Sequence, residues 1–117
     1  MGKLSTHVLD ISSGKPGVGV KIELYAIDAN SKTLLKNEIT NQDGRCSVPL
    51  LEGSALKIGQ YELIFSAGEY FEKQGAVLPN PKFIDRVTLA FGIADPEQNY
   101  HVPLVVSPWA YSTYRGS

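Results

Sequence analysis

Tyr100-His101-Val102-Pro103-Leu104-Val105-Val106, then Ser107-Pro108, then Trp109-Ala110-Tyr111-Ser112-Thr113-Tyr114-Arg115-Gly116-Ser117: two alternating runs flank a turn-forming pair. In the first run Tyr100, Val102, Leu104 and Val106 share a face, which sends His101, Pro103 and Val105 to the other. In the second, Trp109, Tyr111, Thr113 and Arg115 alternate with Ala110, Ser112, Tyr114 and Gly116, and aromatic and β-branched residues favour extension. The stretch reads as a hairpin whose second strand, Trp109 to Arg115, carries order almost to Ser117 and leaves His101 facing away from the core.

The same period recurs upstream. Val87, Leu89, Phe91 and Ile93 alternate in a strand from Arg86 to Ile93, and Tyr61, Leu63 and Phe65 in one from Gln60 to Ser66. Val20, Ile22, Leu24 and Ala26 line one face of a strand from Val18 to Asp28, with Lys21, Glu23 and Tyr25 on the wet face. Thr33 to Thr40 is more polar and suits a sheet edge. Leu4 to Ile11 is a further strand, closed by the turn formers Ser12 to Gly17. Asp43-Gly44 marks a tight turn that leaves Arg45 at the head of a short strand to Leu50. One segment breaks the period: Gly68 to Gly75 carries Glu, Lys and Gln between glycines and reads as a short helix. Pro79-Asn80-Pro81 excludes regular structure at that point. Short strands with closely spaced turns and no β-α-β alternation predict an all-β, antiparallel β-sandwich occupying residues 1–117 as a single domain.

Composition narrows the function. Eleven basic residues balance 12 acidic ones, so no charged stripe favours nucleic acid. No apolar run approaches membrane-spanning length and the first residues hold no secretory h-region, so a cytoplasmic protein is expected. Cys46 is the only cysteine; it reads as a small apolar filler near a turn and rules out an intrachain disulfide.

Candidate chemistry rests on few residues. His7 and His101 are the only histidines, and imidazole suits acid-base work near neutral pH. Two imidazoles with no cysteine pair and no His-x-His do not make a zinc site within one chain, so no metal or other cofactor is expected. Gly-x-Ser-x-Gly and phosphate-cradling glycine motifs are absent. Arg45 could hold a carboxylate, imide or urea edge through its planar fork, or could be a solvated turn residue. Tyr114 and Arg115 could equally end a strand at a subunit contact.

Four separated stretches carry a resemblance: Leu4-Ser5-Thr6-His7-Val8-Leu9-Asp10, Asp43-Gly44-Arg45, Tyr100-His101-Val102-Pro103-Leu104 and Tyr111 to Ser117. In this order, and over essentially the whole chain, they resemble the transthyretin-related 5-hydroxyisourate hydrolases of the ureide pathway. The resemblance implies a transthyretin-like (prealbumin-like) sandwich of two four-stranded sheets with one short helix. It also implies assembly as a homotetramer, a dimer of dimers, with active sites in a channel where outward sheet faces meet. By matched position, His7, Arg45, His101 and Ser117 would be catalytic, and His7, Arg45, Tyr114, Arg115 and Gly116 would bind substrate. Ser117 could assist water through its hydroxyl or carboxylate. A transthyretin-type small-molecule carrier is the alternative, disfavoured because the vertebrate carrier lacks this histidine, arginine and tail set.

Overall fold

A computed structural model of the chain describes residues 1–116, so the expectation placed on Ser117 lies outside the described residues. The strands are β1 (Lys3–Asp10), β2 (Lys15–Pro16), β3 (Lys21–Asp28), β4 (Ser31–Ile39), β5 (Leu51–Glu52), β6 (Gly59–Ser66), β7 (Arg86–Ile93), β8 (Tyr100–Val106) and β9 (Tyr111–Thr113). The helix α1 (Ala67–Lys73) joins β6 to β7. One sheet follows the path β2-β1-β8-β9, with β5 also against β1; the other follows β4-β3-β6-β7.

Alternation explains which residues face inward. Along β1, Leu4, Thr6, Val8 and Asp10 are buried while Ser5 and His7 are not. Leu4 and Val8 meet Ile22 and Leu24 of β3, Leu63 and Phe65 of β6, and Leu104 of β8 in one cluster between the sheets. β4 is the polar edge that its composition suggested, exposed along nearly its whole length. The all-β transthyretin-like sandwich with its short helix is the architecture observed. Its first sheet has five strands because the two-residue β2 and β5 flank β1. One pair departs from antiparallel order: β1 and β8 run parallel over Leu4↔Tyr100 to Asp10↔Val106.

Three expected strands depart from their alternation. The run expected from Val18 begins only at Lys21, because Val18 and Gly19 form a turn with Gly19 at φ of +79°. Main-chain hydrogen bonding accounts for the other two. The run from Arg45 to Leu50 forms no strand; Arg45 makes one isolated bridge to His7, and pairing resumes at β5. Pro49 interrupts it, having no amide to donate. The second arm of the hairpin is confined to Tyr111–Thr113. At its start, Ser107 N donates to Ala110 O at 2.8 Å, and Ser107 Oγ accepts from the amides of Trp109 at 3.2 Å and Ala110 at 3.1 Å. Trp109 and Ala110 therefore belong to the turn. At its far end Pro103 of β8 lacks a donor, the ladder lapses, and contact returns as an isolated bridge between His101 and Gly116. Pro103 is buried despite its outward parity.

The helix is tied to the end of β1 by a buried pair. Tyr70 Oη donates to Asp10 Oδ2 at 2.8 Å, and Asp10 Oδ1 accepts from the Ser12 amide at 2.9 Å. Burial alone would raise the Asp10 pKa, but bonds from the Ser12 hydroxyl, from Tyr70 and from the Ser12 amide outweigh it and hold the carboxyl below its ordinary value. The Tyr70 phenol is pushed up to about 12, first by burial and then by Asp10.

Candidate active site

Sheet register gathers the candidate residues on one outward face. Paired positions on neighbouring strands share a face, as do positions two apart on one strand. Ser5 pairs with His101 and His7 with Pro103, so Ser5, His7 and His101 stand together although they come from opposite ends of the sequence. The two imidazoles lie with ring centroids 6.4 Å apart and planes inclined by 36°. Both rings are partly shielded.

Arg45 enters this face from the other side of His7, through a turn that admits little variation. Asn41 N donates to Arg45 O at 2.8 Å, Gly44 N to Asn41 O at 2.9 Å, and Asn41 Oδ1 accepts from the Asp43 amide at 2.9 Å. Gly44 has φ of +74°, and its carbonyl accepts from Val8 N at 2.8 Å. A Cβ there would lie 2.5 Å from Val8 O. Glycine is thus required both by conformation and by closeness to β1.

The electrostatics follow from burial and one guanidinium. Desolvation lowers the pKa of His7, and the Arg45 charge lowers it further, against the opposing pull of the Asp43 main chain and carboxylate. His101 is also lowered, by desolvation first, then Arg45, then His7. Two neutral imidazoles beside a fixed cation are the state this arrangement favours at neutral pH. They can accept a proton, relay it and donate hydrogen bonds, while Arg45 can face developing negative charge on oxygen.

The tail reaches the site by main chain. Gly116 N donates to His101 O at 2.7 Å. The β8–β9 register, continued past Thr113, sets Tyr114 opposite Pro103, beside the row that holds His7; its side chain is 62% exposed. Tyr114 also borders a recess with Phe91, Tyr100, Val102 and Arg115, and the Arg115 guanidinium is engaged away from the histidines. Its Nη2 donates to Gln98 Oε1 and to Asn99 O, each at 2.9 Å, and its guanidinium lies 4.4 Å from the Tyr100 ring centroid. Alternation places its side chain on the face opposite that of its neighbours Tyr114 and Gly116.

Sequence reading missed Ser5, whose Oγ lies 2.8 Å from His101 Nδ1. The available signal was its parity with His7 on β1. Ser5 and Arg45 also line a recess of about 190 Å³ with Thr6, Cys46, Ser47 and Val48. Cys46 is no nucleophile there: burial, and then Glu38, push its thiol up to about 11. A larger recess, about 720 Å³, lies at Lys21, Glu23, Glu69 and Arg86, where Lys21 pairs with Glu69 and Arg86 with Glu23. Among the described residues no three His, Cys, Asp or Glu side chains are grouped as metal ligands, and no helix is long and apolar enough to cross a membrane.

The fold agrees with comparisons to known proteins. The HIUase/Transthyretin family model matches residues 4–116. The chain belongs to that family. It is 56% identical over 117 residues to the 5-hydroxyisourate hydrolase of Ralstonia nicotianae, covering 100% of both chains. Among solved structures, the 5-hydroxyisourate hydrolase of Klebsiella pneumoniae superposes with a TM-score of 0.83 at 33% identity, covering 100% of both chains. The crystal structure of (S)-allantoin synthase gives a TM-score of 0.94 at 43% identity, covering 99% of this chain and 44% of that one.

Proposed function

We propose that this chain hydrolyses 5-hydroxyisourate, opening its ring to give 2-oxo-4-hydroxy-4-carboxy-5-ureidoimidazoline in urate degradation. The observation that carries the reading is the placement of His7, His101 and Arg45 on one outward sheet face, in a chain whose full-length relatives bear the name of this hydrolase. Water attacks a ring carbonyl. The histidine pair takes the proton that water loses and returns it to the nitrogen that leaves as the carbon-nitrogen bond breaks. Arg45 holds the polar edge of the substrate and stabilises the oxyanion, a contribution of about 3 kcal/mol where water is excluded.

The tail completes the wall. Tyr114 contacts substrate, the Gly116 main chain holds the tail against His101, and Arg115 acts as its fastening to Gln98, Asn99 and Tyr100. Ser117 keeps the role implied by resemblance, assistance to the attacking water. The site faces outward, and water must be excluded for Arg45 to act with this strength. A homotetramer built as a dimer of dimers supplies that exclusion by bringing two such faces together across a channel. A cytoplasmic setting suits the free thiol of Cys46.

The test is the ultraviolet absorbance of 5-hydroxyisourate generated by urate oxidase. Adding the protein should accelerate loss of that band in proportion to its concentration. Decay at the spontaneous rate would end the hydrolase reading.

A further inference from the structure

The hydrogen bond between Ser5 Oγ and His101 Nδ1, at 2.8 Å, has no part in the reaction as derived above, yet the fold builds it in. β1 and β8 are parallel with Ser5 and His101 as Cα partners, so both side chains leave one face of adjacent strands. We propose that Ser5 is a positioning residue for His101: its hydroxyl occupies Nδ1 and fixes the rotation of the ring, so that proton exchange with water and substrate runs through Nε2. The inference rests on the hydrolase reading and assigns Ser5 no contact with substrate.

An imidazole can flip about Cβ–Cγ, exchanging Nδ1 with Cδ2 and presenting the wrong edge to a reactant. Here each edge has its own neighbour. Ser5 meets Nδ1, and at the opposite edge a Cβ built on Gly116 would stand 2.8 Å from Cδ2. A flipped ring would set a carbon against the Ser5 hydroxyl and forfeit the bond. A hydroxyl also suits a ring that changes protonation, since it can accept from Nδ1–H while Nε2 gains and loses its proton. The bond with Ser5 then persists in the neutral ring and in the imidazolium. The strands do not depend on this bond: Thr6 Oγ1, on the buried face, donates to Val102 O at 2.7 Å beside the continuous β1–β8 ladder.

The experiment compares the full chain with Ser5→Ala and Ser5→Thr, using absorbance kinetics and nitrogen NMR of the histidine rings on labelled protein. Loss of one hydrogen bond to a reacting ring corresponds to about a tenfold fall in kcat for Ser5→Ala, with KM unchanged. The His101 ring nitrogens should shift as its tautomer balance changes, those of His7 should stay, and Ser5→Thr should restore both readouts. Unchanged His101 nitrogen shifts in Ser5→Ala would overturn the proposal. So would shifted nitrogens with wild-type kcat, or a defect confined to KM, which would make Ser5 a substrate contact. The NMR arm needs no substrate, so a wild-type protein without hydrolase activity would remove the functional reading while the shifts still decide whether Ser5 holds the ring.

Discussion

Gly116 lies against the ring of His101: its amide donates to the His101 carbonyl at 2.7 Å, and a methyl group at Gly116 would come within 2.8 Å of Cδ2. Gly116→Ala must therefore displace either the tail or the imidazole. We expect a fall in kcat of about a hundredfold, the scale of a 1 Å misplacement in a reacting group. Far-ultraviolet circular dichroism should be unaltered, and a fully active variant would show that the ring tolerates displacement.

His7→Asn and His101→Asn each keep a polar side chain while removing the titrating group. Each should lower turnover at least about a hundredfold without changing the sedimentation behaviour. Wild-type rates in both would dismiss the acid-base roles.

The pH dependence has a definite sign. Both histidines have folded-state pKa values below 6.5, so the folded state favours the neutral rings. As pH falls below 6.5 and through the lowered values, the rings take up protons, and both kcat/KM and their contribution to stability should decline together. Arg45→Gln removes the second cause of lowering in each ring, which should move the acid limb upward toward 6.5 while burial keeps it below. An acid limb in the wild type above 6.5 would contradict the assignment.

The Asp10–Tyr70 pair makes stability depend on pH at both extremes. Asp10 is depressed in the folded state, so its contribution is present above the ordinary carboxylate range and is lost as acid carries it through its lowered value. Tyr70 is raised to about 12, so its contribution is complete below about 10 and disappears as pH climbs through the folded value. Tyr70→Phe should cost about 1 kcal/mol in urea denaturation, since Asp10 keeps its bonds to Ser12.

Gly44→Ala should be costlier to function than its size suggests. A positive φ and a contact of 2.5 Å with Val8 O force the turn to move, and Arg45 moves with it. We expect a loss of about 1 to 2 kcal/mol in stability from backbone conformation alone, accompanied by a rise in KM.

Legibility of the molecule divided along a physical line. Period-2 alternation located β7 from Arg86 to Ile93 and β8 from Tyr100 to Val106, because a half-buried strand must sort its side chains by face. It also sent His101 outward, which is where the ring stands. Pairing is a different matter: nothing in the alternation of Leu4 to Asp10 states that its neighbour is Tyr100 to Val106, or that the two are parallel. Main-chain donors explain the shortened segments, since Pro103 and Pro49 have apolar side chains and lack an amide. Arg115 was readable as a cation near the site, but its commitment to the Tyr100 ring depends on contacts that only folding creates.

The parallel pairing of β1 with β8 has a consequence for how activity is acquired. Ser5 and His101 are separated by 96 positions in the chain, and their contact exists only after the longest loops have closed. Contacts of such sequence separation form late and slowly compared with a local hairpin. A nascent or partly folded chain, even one with its β3, β6 and β7 strands paired, holds two unrelated histidines and lacks the imidazole pair proposed to act together. Recovery of turnover after dilution from denaturant should therefore lag behind the gain of β-sheet signal, making the enzyme its own reporter of completed folding.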